Sequence, residues 1–466
     1  MPWWIQGSKL AAGRRKRRST MNALKNAFRE IKRYPSALFG LVIIILLLIT
    51  GVIVVIKIPY QEAIRLWRGG EGVWYQNPKT APPAWTNWFT KDDLPPSYFL
   101  NLDDERVTKE VEAFDGTGDI NYVMTFDYNY DAFPRELALF LTSDFEEKNP
   151  FVDIYWYQPD GTEIRVASVG LQKSQTFFFS QDTKLRRRLG DVAPEIGLFA
   201  IPDSDPPQVM KGTYEMRLEG ISFEESSDYA AEFVIYGQVH GVAGTDHLRR
   251  DLSVALLWGI PIALVFGLIA AVGTSILTMI IAAVGVWYGG WVDELIQRIT
   301  EVNLVLPFLS ILVMVGTFYS KSLWVILGVT VLLSIFGGGI KTYRANFMQI
   351  KESMYIEAAQ AYGAKDIRII FLYLIPRIVP LLIPGLVSSI PSYVFLEATL
   401  AVLGLGDPVL PTWGKIINDA QMNGALYNGM YYWIIQPAVL LMFTGLAFAV
   451  LGFSLDRIFN PRLRGL

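Results

Sequence analysis

Six apolar stretches constrain this chain more than any other feature of its sequence. They cover residues 37–56, 252–286, 302–319, 323–340, 378–403 and 433–453. About 20 apolar residues in a helix cross the roughly 30 Å hydrocarbon core of a bilayer, so the sequence predicts a polytopic α-helical membrane protein with six transmembrane helices. No cleavage pattern follows the first stretch, which favours an uncleaved anchor over a signal peptide. The second exceeds one crossing, so we expect it to tilt or to project from the membrane.

Lysine and arginine predict the orientation, because cytoplasmic loops of membrane proteins are enriched in both. Residues 1–36 are strongly basic, and both the loop 341–377 and the tail 457–466 carry further cations. The rule places these three segments in the cytoplasm and residues 58–247 outside. Nucleic-acid binding by the basic cluster is the less favoured alternative, since the net charge of the chain is only −3. The cations that carry this argument are Arg14, Arg15, Lys16, Arg17, Arg18, Lys25, Arg29, Lys32, Arg33, Lys341, Arg344, Lys351, Lys365, Arg368, Arg377, Arg457, Arg462 and Arg464.

Residues 58–247 read as a mainly-β domain inserted between the first two helices. Residues 151–157 are rich in aromatic and branched side chains, 158–162 supply a turn, and 163–169 resume the pattern, which predicts a hairpin. Similar runs at 137–141, 176–179, 214–221 and 231–236 favour an antiparallel sandwich. The chain has no cysteine, so this domain is held together by packing alone. For the four tryptophans of its less regular part, packing is favoured over a position at the membrane interface: Trp67, Trp74, Trp85 and Trp88.

The loop 341–377 has the composition of two short helices that meet at an angle. The sequence predicts a first helix over 348–362, a break at Gly363, where glycine accepts a positive φ, and a second helix with Asp366 as its cap. Pro376 is expected to reset the chain at the edge of the bilayer. The small residues Ala358, Ala359 and Ala361 allow another protein to approach the first helix closely, and Glu357 places a carboxylate on it.

Glu357-Ala358-Ala359, Gly363 six residues after Glu357 and Pro376 together resemble the EAA loop of binding-protein-dependent ABC importer permeases. The resemblance extends to the second permease subunit of the dipeptide and oligopeptide group. Further segments that are similar to this group are Gly244-Thr245-Asp246, Arg250-Asp251, residues 288–293, Arg298, Pro307, Glu397-Ala398, residues 403–406, 411–414 and 460–463. The departures are Tyr373 and Ile375 before the proline, Arg249 in place of a usual glycine, His240 one residue further from Gly244, and the long insert.

The resemblance implies a type I ABC importer permease fold in a prokaryotic cell membrane. Its loop would dock on an ATP-binding subunit, with coupling through Glu357, Ala358, Ala359, Gly363, Asp366 and Pro376. The implied partners are a second homologous permease, two ATP-binding subunits, an external solute-binding protein and membrane lipid. ATP and Mg²⁺ would be bound by the ATP-binding subunits, and this chain would hold no cofactor, no metal and no catalytic residue. The implied cargo is di- or oligopeptides, with short oligosaccharides or metal chelates as alternatives.

Other residues leave alternatives open. Glu397 is a candidate for the pathway, or it reaches the outer interface or pairs with a neighbouring helix. Gly337-Gly338-Gly339 closes the fourth stretch as a hinge or, as we favour, by close helix packing. The insert either docks the solute receptor or stabilises the permease. Two other classes of membrane protein are alternatives: a receptor or scaffold with a β-sandwich sensor domain, and an ion-coupled secondary transporter.

Overall fold

The computed structural model describes residues 35–114, 117–202, 204–224 and 227–459. The chain divides into two compact units. A β-rich unit comprises Arg65–Val254 and Asn423–Trp433, and a helical unit comprises Ala255–Met422 with the chain before Arg65 and after Trp433. The basic N-terminal cluster and the tail 460–466 lie outside the described residues.

The β-rich unit contains two antiparallel sheets, with strand orders β1-β9-β4-β7 and β2-β3-β8-β5-β6. Inward residues of both sheets, such as Phe126, Trp156 and Phe233, share one core. Among these aromatic rings Phe126 stacks on Tyr214 with centroids 5.7 Å apart. The strands are β1 Tyr98–Leu100, β2 Val107–Phe114, β3 Thr117–Tyr128, β4 Glu136–Asp144, β5 Phe151–Tyr157, β6 Glu163–Gly170, β7 Ser174–Phe178, β8 Gly212–Ser222 and β9 Asp228–Tyr236. Short helical turns also occur at Gly70–Val73, Ala84–Phe89, Phe179–Gln181, Thr183–Arg188 and Pro194–Gly197.

The predicted β sandwich and its hairpin are confirmed. β5 and β6 pair directly, and Gly161 in their turn has φ 88°. The other predicted runs fall in β4, β7, β8 and β9, whereas β1, β2 and β3 were not predicted. β3 buries every second residue from Ile120 to Tyr128, and three of the four residues between them are polar. Such alternation is the mark of a half-buried strand, but it contains no continuous apolar run.

Eleven helices of eight or more residues occur in the described part of the chain: α1 Pro35–Lys57, α2 Tyr60–Arg68, α3 Leu252–Tyr288, α4 Gly290–Val305, α5 Phe308–Phe318, α6 Leu323–Ile335, α7 Gly338–Lys351, α8 Met354–Ala361, α9 Ile375–Leu400, α10 Trp413–Met422 and α11 Tyr432–Phe459. Shorter helical segments occur at Asp366–Ile369, Ile370–Leu374 and Ala401–Leu405. By length and composition, four helical runs can cross a membrane, and up to six if each of two bent pairs is one span. The chain is therefore a polytopic helical membrane protein.

Two predicted spans are bent rather than straight. The stretch 302–319 crosses a 78° bend between α4 and α5. Pro307 lies at this bend, where it supplies no amide hydrogen and forces the preceding residue out of helical geometry. The stretch 323–340 is interrupted by a 45° bend between α6 and α7, where Gly337 has an extended backbone. By contrast α3 is a single helix of 37 residues, about 55 Å long, which confirms that it exceeds one crossing.

Candidate functional site: the elbow after α7

The predicted helix over 348–362 is wrong, because the structure divides it into two. α7 ends at Lys351 and α8 begins at Met354 after Ser353, whose ψ is 138°. Lys351 accounts for the end of α7: its ammonium donates to the carbonyls of Val286 (2.8 Å) and Trp287 (3.1 Å). These carbonyls belong to the last turn of α3, where a cation is favourable. The end of α7 is thereby fixed to the end of α3.

Gly363 ends α8 as predicted, with φ 75° and its amide bonded to the carbonyl of Gln360. The next helical segment begins at Asp366. The prediction that Asp366 caps this segment is wrong: Lys365 precedes the first turn, and no side chain caps it. The carboxylate of Asp366 instead lies in the first turn, where negative charge is also stabilising. We call the segment from Met354 through Gly363 to Leu374 the elbow.

Pro376 does not break the chain direction, contrary to expectation. A helical run of 40 residues, Asp366–Leu405, passes through it. Pro376 lies in the first turn of α9, and the turn directly before α9, Ile370–Leu374, is a π-helix. A proline leaves one carbonyl of the preceding turn without its usual amide partner, and π turns occur where the regular helical ladder is interrupted.

One face of the elbow packs inside the helical unit. Ile356 and Ile369 are buried in one cluster that includes Val286 and Trp287 of α3. Ala359 is also buried, at 8% exposure, so the small-residue argument for a close partner applies to Ala358 and Ala361 only. The buried face of the elbow is therefore packed against the end of α3 through Ile356 and Ile369.

The opposite face of the elbow is exposed and partly apolar. Tyr362 is 93% exposed and Met354 86%, and Glu357, Ala358 and Ala361 are also exposed. Tyrosine and methionine are enriched at protein interfaces, and these two exposed side chains lie at the two ends of α8. The elbow therefore has one face for its own helices and one available to a partner.

An ion pair that no sequence pattern predicts joins α7, the helix before the elbow, to α4. Arg344 of α7 donates to both carboxylate oxygens of Asp293 in α4, with Nε at 2.8 and 3.0 Å from them. Bidentate pairs of this kind fix direction as well as distance. The two residues are 51 positions apart, so no local pattern reports the contact. The one signal for this ion pair in the sequence is Asp293, an acidic residue two positions after Trp291.

The structure places Glu397 inside the helical unit rather than at an outer interface. Its side chain is 6% exposed, and Thr412 of the following loop lies close to its carboxylate. The neighbouring loop is held by Asp407, which accepts from the amides of Leu323 (2.9 Å) and Val409 (2.8 Å). Trp413 donates to the carbonyl of Leu256 at 2.8 Å. Asp407 and Trp413 were not predicted to anchor this loop.

The three glycines 337–339 take different roles. Gly337 lies at the bend between α6 and α7. A side chain at Gly339 would approach the Thr278 methyl to 3.3 Å, which indicates close helix packing there. The structure thus contains both a bend and a tight contact in this triplet.

A second motif, residues 244–251, forms a compact turn before α3, which we call the pre-helix turn. Thr245 donates to the carbonyl of Pro78 at 2.7 Å and accepts from the amide of Ala81 at 2.9 Å. Asp246 and Arg250 form a buried ion pair, and Arg250 lies 3.6 Å above the Trp67 ring.

Arg249 stands in this turn where the resemblance expected glycine. Its φ is 64°, a left-handed conformation that glycine adopts without strain and that costs other residues about 1–2 kcal/mol. The side chain donates to the carbonyl of Asn77 (2.7 Å) and to Glu136 (3.0 Å), and covers the Tyr236 ring at 4.2 Å. These contacts hold the pre-helix turn against strands β4 and β9.

The two histidines have separate surroundings. His240 lies 4.0 Å from Asp251, and burial lowers its pKa although Asp251 opposes this. His247 stacks on Trp433 at 5.6 Å. Within the described residues no three His, Cys, Asp or Glu side chains are placed to hold a metal ion.

Apolar helices long enough to cross a membrane, with an exposed elbow packed against one of them, define a polytopic helical membrane protein. Residues 263–465 match the family described as "Binding-protein-dependent transport system inner membrane component". The dipeptide transport permease DppC of Bacillus subtilis is 31% identical over 224 residues, which cover 47% of this chain and 68% of the relative. The chain belongs to this family, whose members are permease components and not enzymes.

Two further relatives extend the comparison. The oligopeptide transport permease OppC of Bacillus subtilis is 29% identical over 225 residues, covering 47% of this chain and 72% of the relative. The glutathione transport permease GsiD of Pectobacterium atrosepticum is 28% identical over 224 residues, covering 47% and 72%. The family match begins at residue 263, so it does not include the strands of the β-rich unit.

Proposed function

We propose that this chain lines the translocation pathway of an ATP-driven importer of di- or oligopeptides, together with a second homologous permease. An external solute-binding protein delivers the cargo, and two ATP-binding subunits hydrolyse ATP with Mg²⁺. The names of three relatives, which transport dipeptides, oligopeptides and glutathione, support the peptide class. Uptake of an oligosaccharide or a metal chelate, without peptide uptake, is the outcome that would replace this cargo.

The two-faced elbow is the observation that carries the coupling proposal. Its exposed face, with Glu357, Ala358 and Tyr362, meets an ATP-binding subunit, and its buried face, with Ile356 and Ala359, moves α3. Gly363 sets the angle between α8 and the helical run that begins at Asp366. Asp366 and Pro376 begin the helical run that leads into α9. Movement follows from binding energy only if the subunit contacts the elbow differently in its two states.

The topology is part of this proposal. Each bent pair, α4 with α5 and α6 with α7, counts as one span, which gives six spans with both termini and the elbow in the cytoplasm and residues 58–247 outside. Since the chain has no cysteine, single cysteines introduced at Tyr362 and Val111 test the sides directly. A membrane-impermeant maleimide added to intact cells should label Val111→Cys and leave Tyr362→Cys unlabelled until the cells are opened. The reverse pattern contradicts the orientation.

The coupling role is tested with Tyr362→Ala in the purified, reconstituted complex. Truncation of a central interface aromatic typically costs about 2 kcal/mol or more, so we expect substrate-stimulated ATPase activity at limiting ATP-binding subunit to fall more than about tenfold. Tyr427→Ala is the matched control, because Tyr427 is 97% exposed and lies far from the elbow in sequence. Unchanged stimulation in Tyr362→Ala would reject the elbow as the coupling surface. Transport that persists without any ATP-binding subunit would instead favour a secondary transporter.

Glu397 and the glycines 337–339 take supporting roles in this proposal. Glu397 is buried in α9 close to the loop that follows it, and Gly337 provides the bend at which α7 turns away from α6. Both act on the shape of the pathway without contacting ATP or its subunit.

A further inference from the structure

The four tryptophans between residues 65 and 90 divide into two pairs. Trp67 is 4% exposed and lies under Arg250, and Trp74 donates to the carbonyl of Leu66 at 2.7 Å. Trp85 and Trp88, by contrast, are 40% and 83% exposed. Packing thus explains the first pair only, and the second pair needs another account.

Four neighbouring apolar side chains form an exposed surface, which we call the aromatic patch: Trp85, Trp88, Phe89 and Val242. Phe89 is 81% exposed and Val242 78%. Trp85 contacts the Phe89 ring edge-on, with centroids 6.3 Å apart, and its indole nitrogen donates to the carbonyl of Val242 at 2.9 Å. A contiguous exposed patch of large apolar residues marks a surface that another phase or molecule covers.

The backbone holds the aromatic patch in place. The 3-10 helix Ala84–Phe89 is joined to the turn that carries Val242 through the amide of Ala84 and the carbonyl of Gly241, 2.9 Å apart. Asn87 donates to the carbonyl of Leu94 at 2.9 Å. The exposed position of these rings is therefore fixed by hydrogen bonds to the segment that carries them.

The same segment is bonded to the first residues of two apolar spanning helices. The amide of Ala81 donates to the Thr245 hydroxyl, and the Thr245 carbonyl accepts from the Tyr432 hydroxyl at 2.9 Å. The amide of Leu252 donates to the carbonyl of Gly244 at 3.0 Å. Leu252 begins α3 and Tyr432 begins α11, and both residues belong to the β-rich unit. The segment that precedes the aromatic patch is thus linked by these hydrogen bonds to the first residues of α3 and α11, two helices that are long and apolar enough to cross a membrane.

We propose that the aromatic patch inserts into the headgroup layer of the bilayer, on the side that carries the β-rich unit. Tryptophan is suited to this layer because its ring is apolar and its N–H is polar, and it is enriched at membrane interfaces. The adjacent charges are one cation, Lys91, and two acids, Asp92 and Asp93. The patch therefore binds through apolar burial and needs no anionic lipid.

Spin labels at single cysteines test this directly, since no native cysteine competes. Trp88→Cys and Val242→Cys place the label in the aromatic patch, and Val111→Cys, which is 59% exposed on β2, is the control. The full chain is placed in phosphatidylcholine nanodiscs. Collision of each label with lipid-soluble oxygen and with a water-soluble nickel chelate is then measured. We expect the oxygen-to-nickel collision ratio to be several-fold higher at 88 and 242 than at 111.

Three results would overturn the proposal. Equal ratios at all three positions would mean that the aromatic patch lies in water. Labels at 88 and 242 that neither reagent reaches would mean that protein covers it, as a solute receptor or a second permease would. Because Val242→Cys keeps all three aromatic rings, a high ratio at 88 without one at 242 would also contradict insertion of the patch as a unit.

Discussion

The elbow and the pre-helix turn use family-like motifs in opposite ways. Both contact α3, one at its last turn and one at its first. In the elbow the motif residues Glu357 and Ala358 are exposed, whereas in the pre-helix turn Asp246 and Arg250 are buried against the chain itself. We infer that the exposed motif of the elbow serves to bind a partner, whereas the buried motif of the pre-helix turn stabilises the fold.

The comparison predicts that substitutions in the pre-helix turn mainly lower the free energy of unfolding. Substitutions on the exposed face of the elbow should lower only substrate-stimulated ATPase activity. Charge burial is the reason. Asp246 has 0% exposure and Arg250 5%, and a buried charge without its partner is far more costly than an exposed one.

Arg250→Ala should have the largest effect. It leaves the Asp246 carboxylate buried without its cation, which typically destabilises by about 3–5 kcal/mol, and it uncovers the Trp67 ring. We expect a clear fall in the thermal unfolding temperature of the purified chain in detergent. Arg298→Ala is the control, because the Arg298–Glu301 pair is exposed and such pairs contribute about 0–1 kcal/mol. Equal losses in both variants would contradict the distinction between the two regions.

Arg249 allows the strain of the turn to be measured separately from its contacts. Arg249→Ala loses hydrogen bonds to Asn77 and Glu136, each worth about 1.5–3 kcal/mol for a charged donor, and keeps the positive φ. Arg249→Gly loses the same contacts but relieves about 1–2 kcal/mol of backbone strain. We therefore expect both variants to be less stable in chemical or thermal unfolding, with the alanine variant the lower of the two. A glycine variant more stable than the parent chain would show that the contacts of Arg249 contribute less than its strain.

Gly363→Ala should have the smallest effect on stability. The φ of 75° costs alanine about 1–2 kcal/mol, but nothing lies within 4 Å of the added methyl group. The expected result is a small fall in unfolding temperature with a larger loss of substrate-stimulated ATPase activity, since the angle of the elbow changes. Gly385→Ala, a helical glycine with equally open surroundings, should affect neither. A loss of stability without a loss of coupling would place Gly363 with the buried motifs.

Much of this architecture follows from local sequence patterns. Apolar length predicted α1, α3 and α11, and the Gly363 break and the β5–β6 hairpin follow from residues that accept unusual backbone angles. What could not be predicted depends on distant contacts. The end of α7 is set by Lys351 meeting the carbonyls of α3, and the Asp293–Arg344 pair joins two helices 51 residues apart. The burial of Ile356 depends on α3 as well, so the face of the elbow that turns inward could not be identified from the spacing of its alanines.

The π turn at Ile370–Leu374 has a consequence for the length of the chain here. A π turn contains one residue more than an α turn of the same height. Loss of a single residue from it would restore regular α geometry and leave the segments on either side in nearly the same rotation, whereas loss of one residue from a regular α-helix rotates everything before it by about 100° about the helix axis. The direction in which the elbow points should therefore survive a one-residue deletion within Ile370–Leu374 far better than the same deletion further along α9.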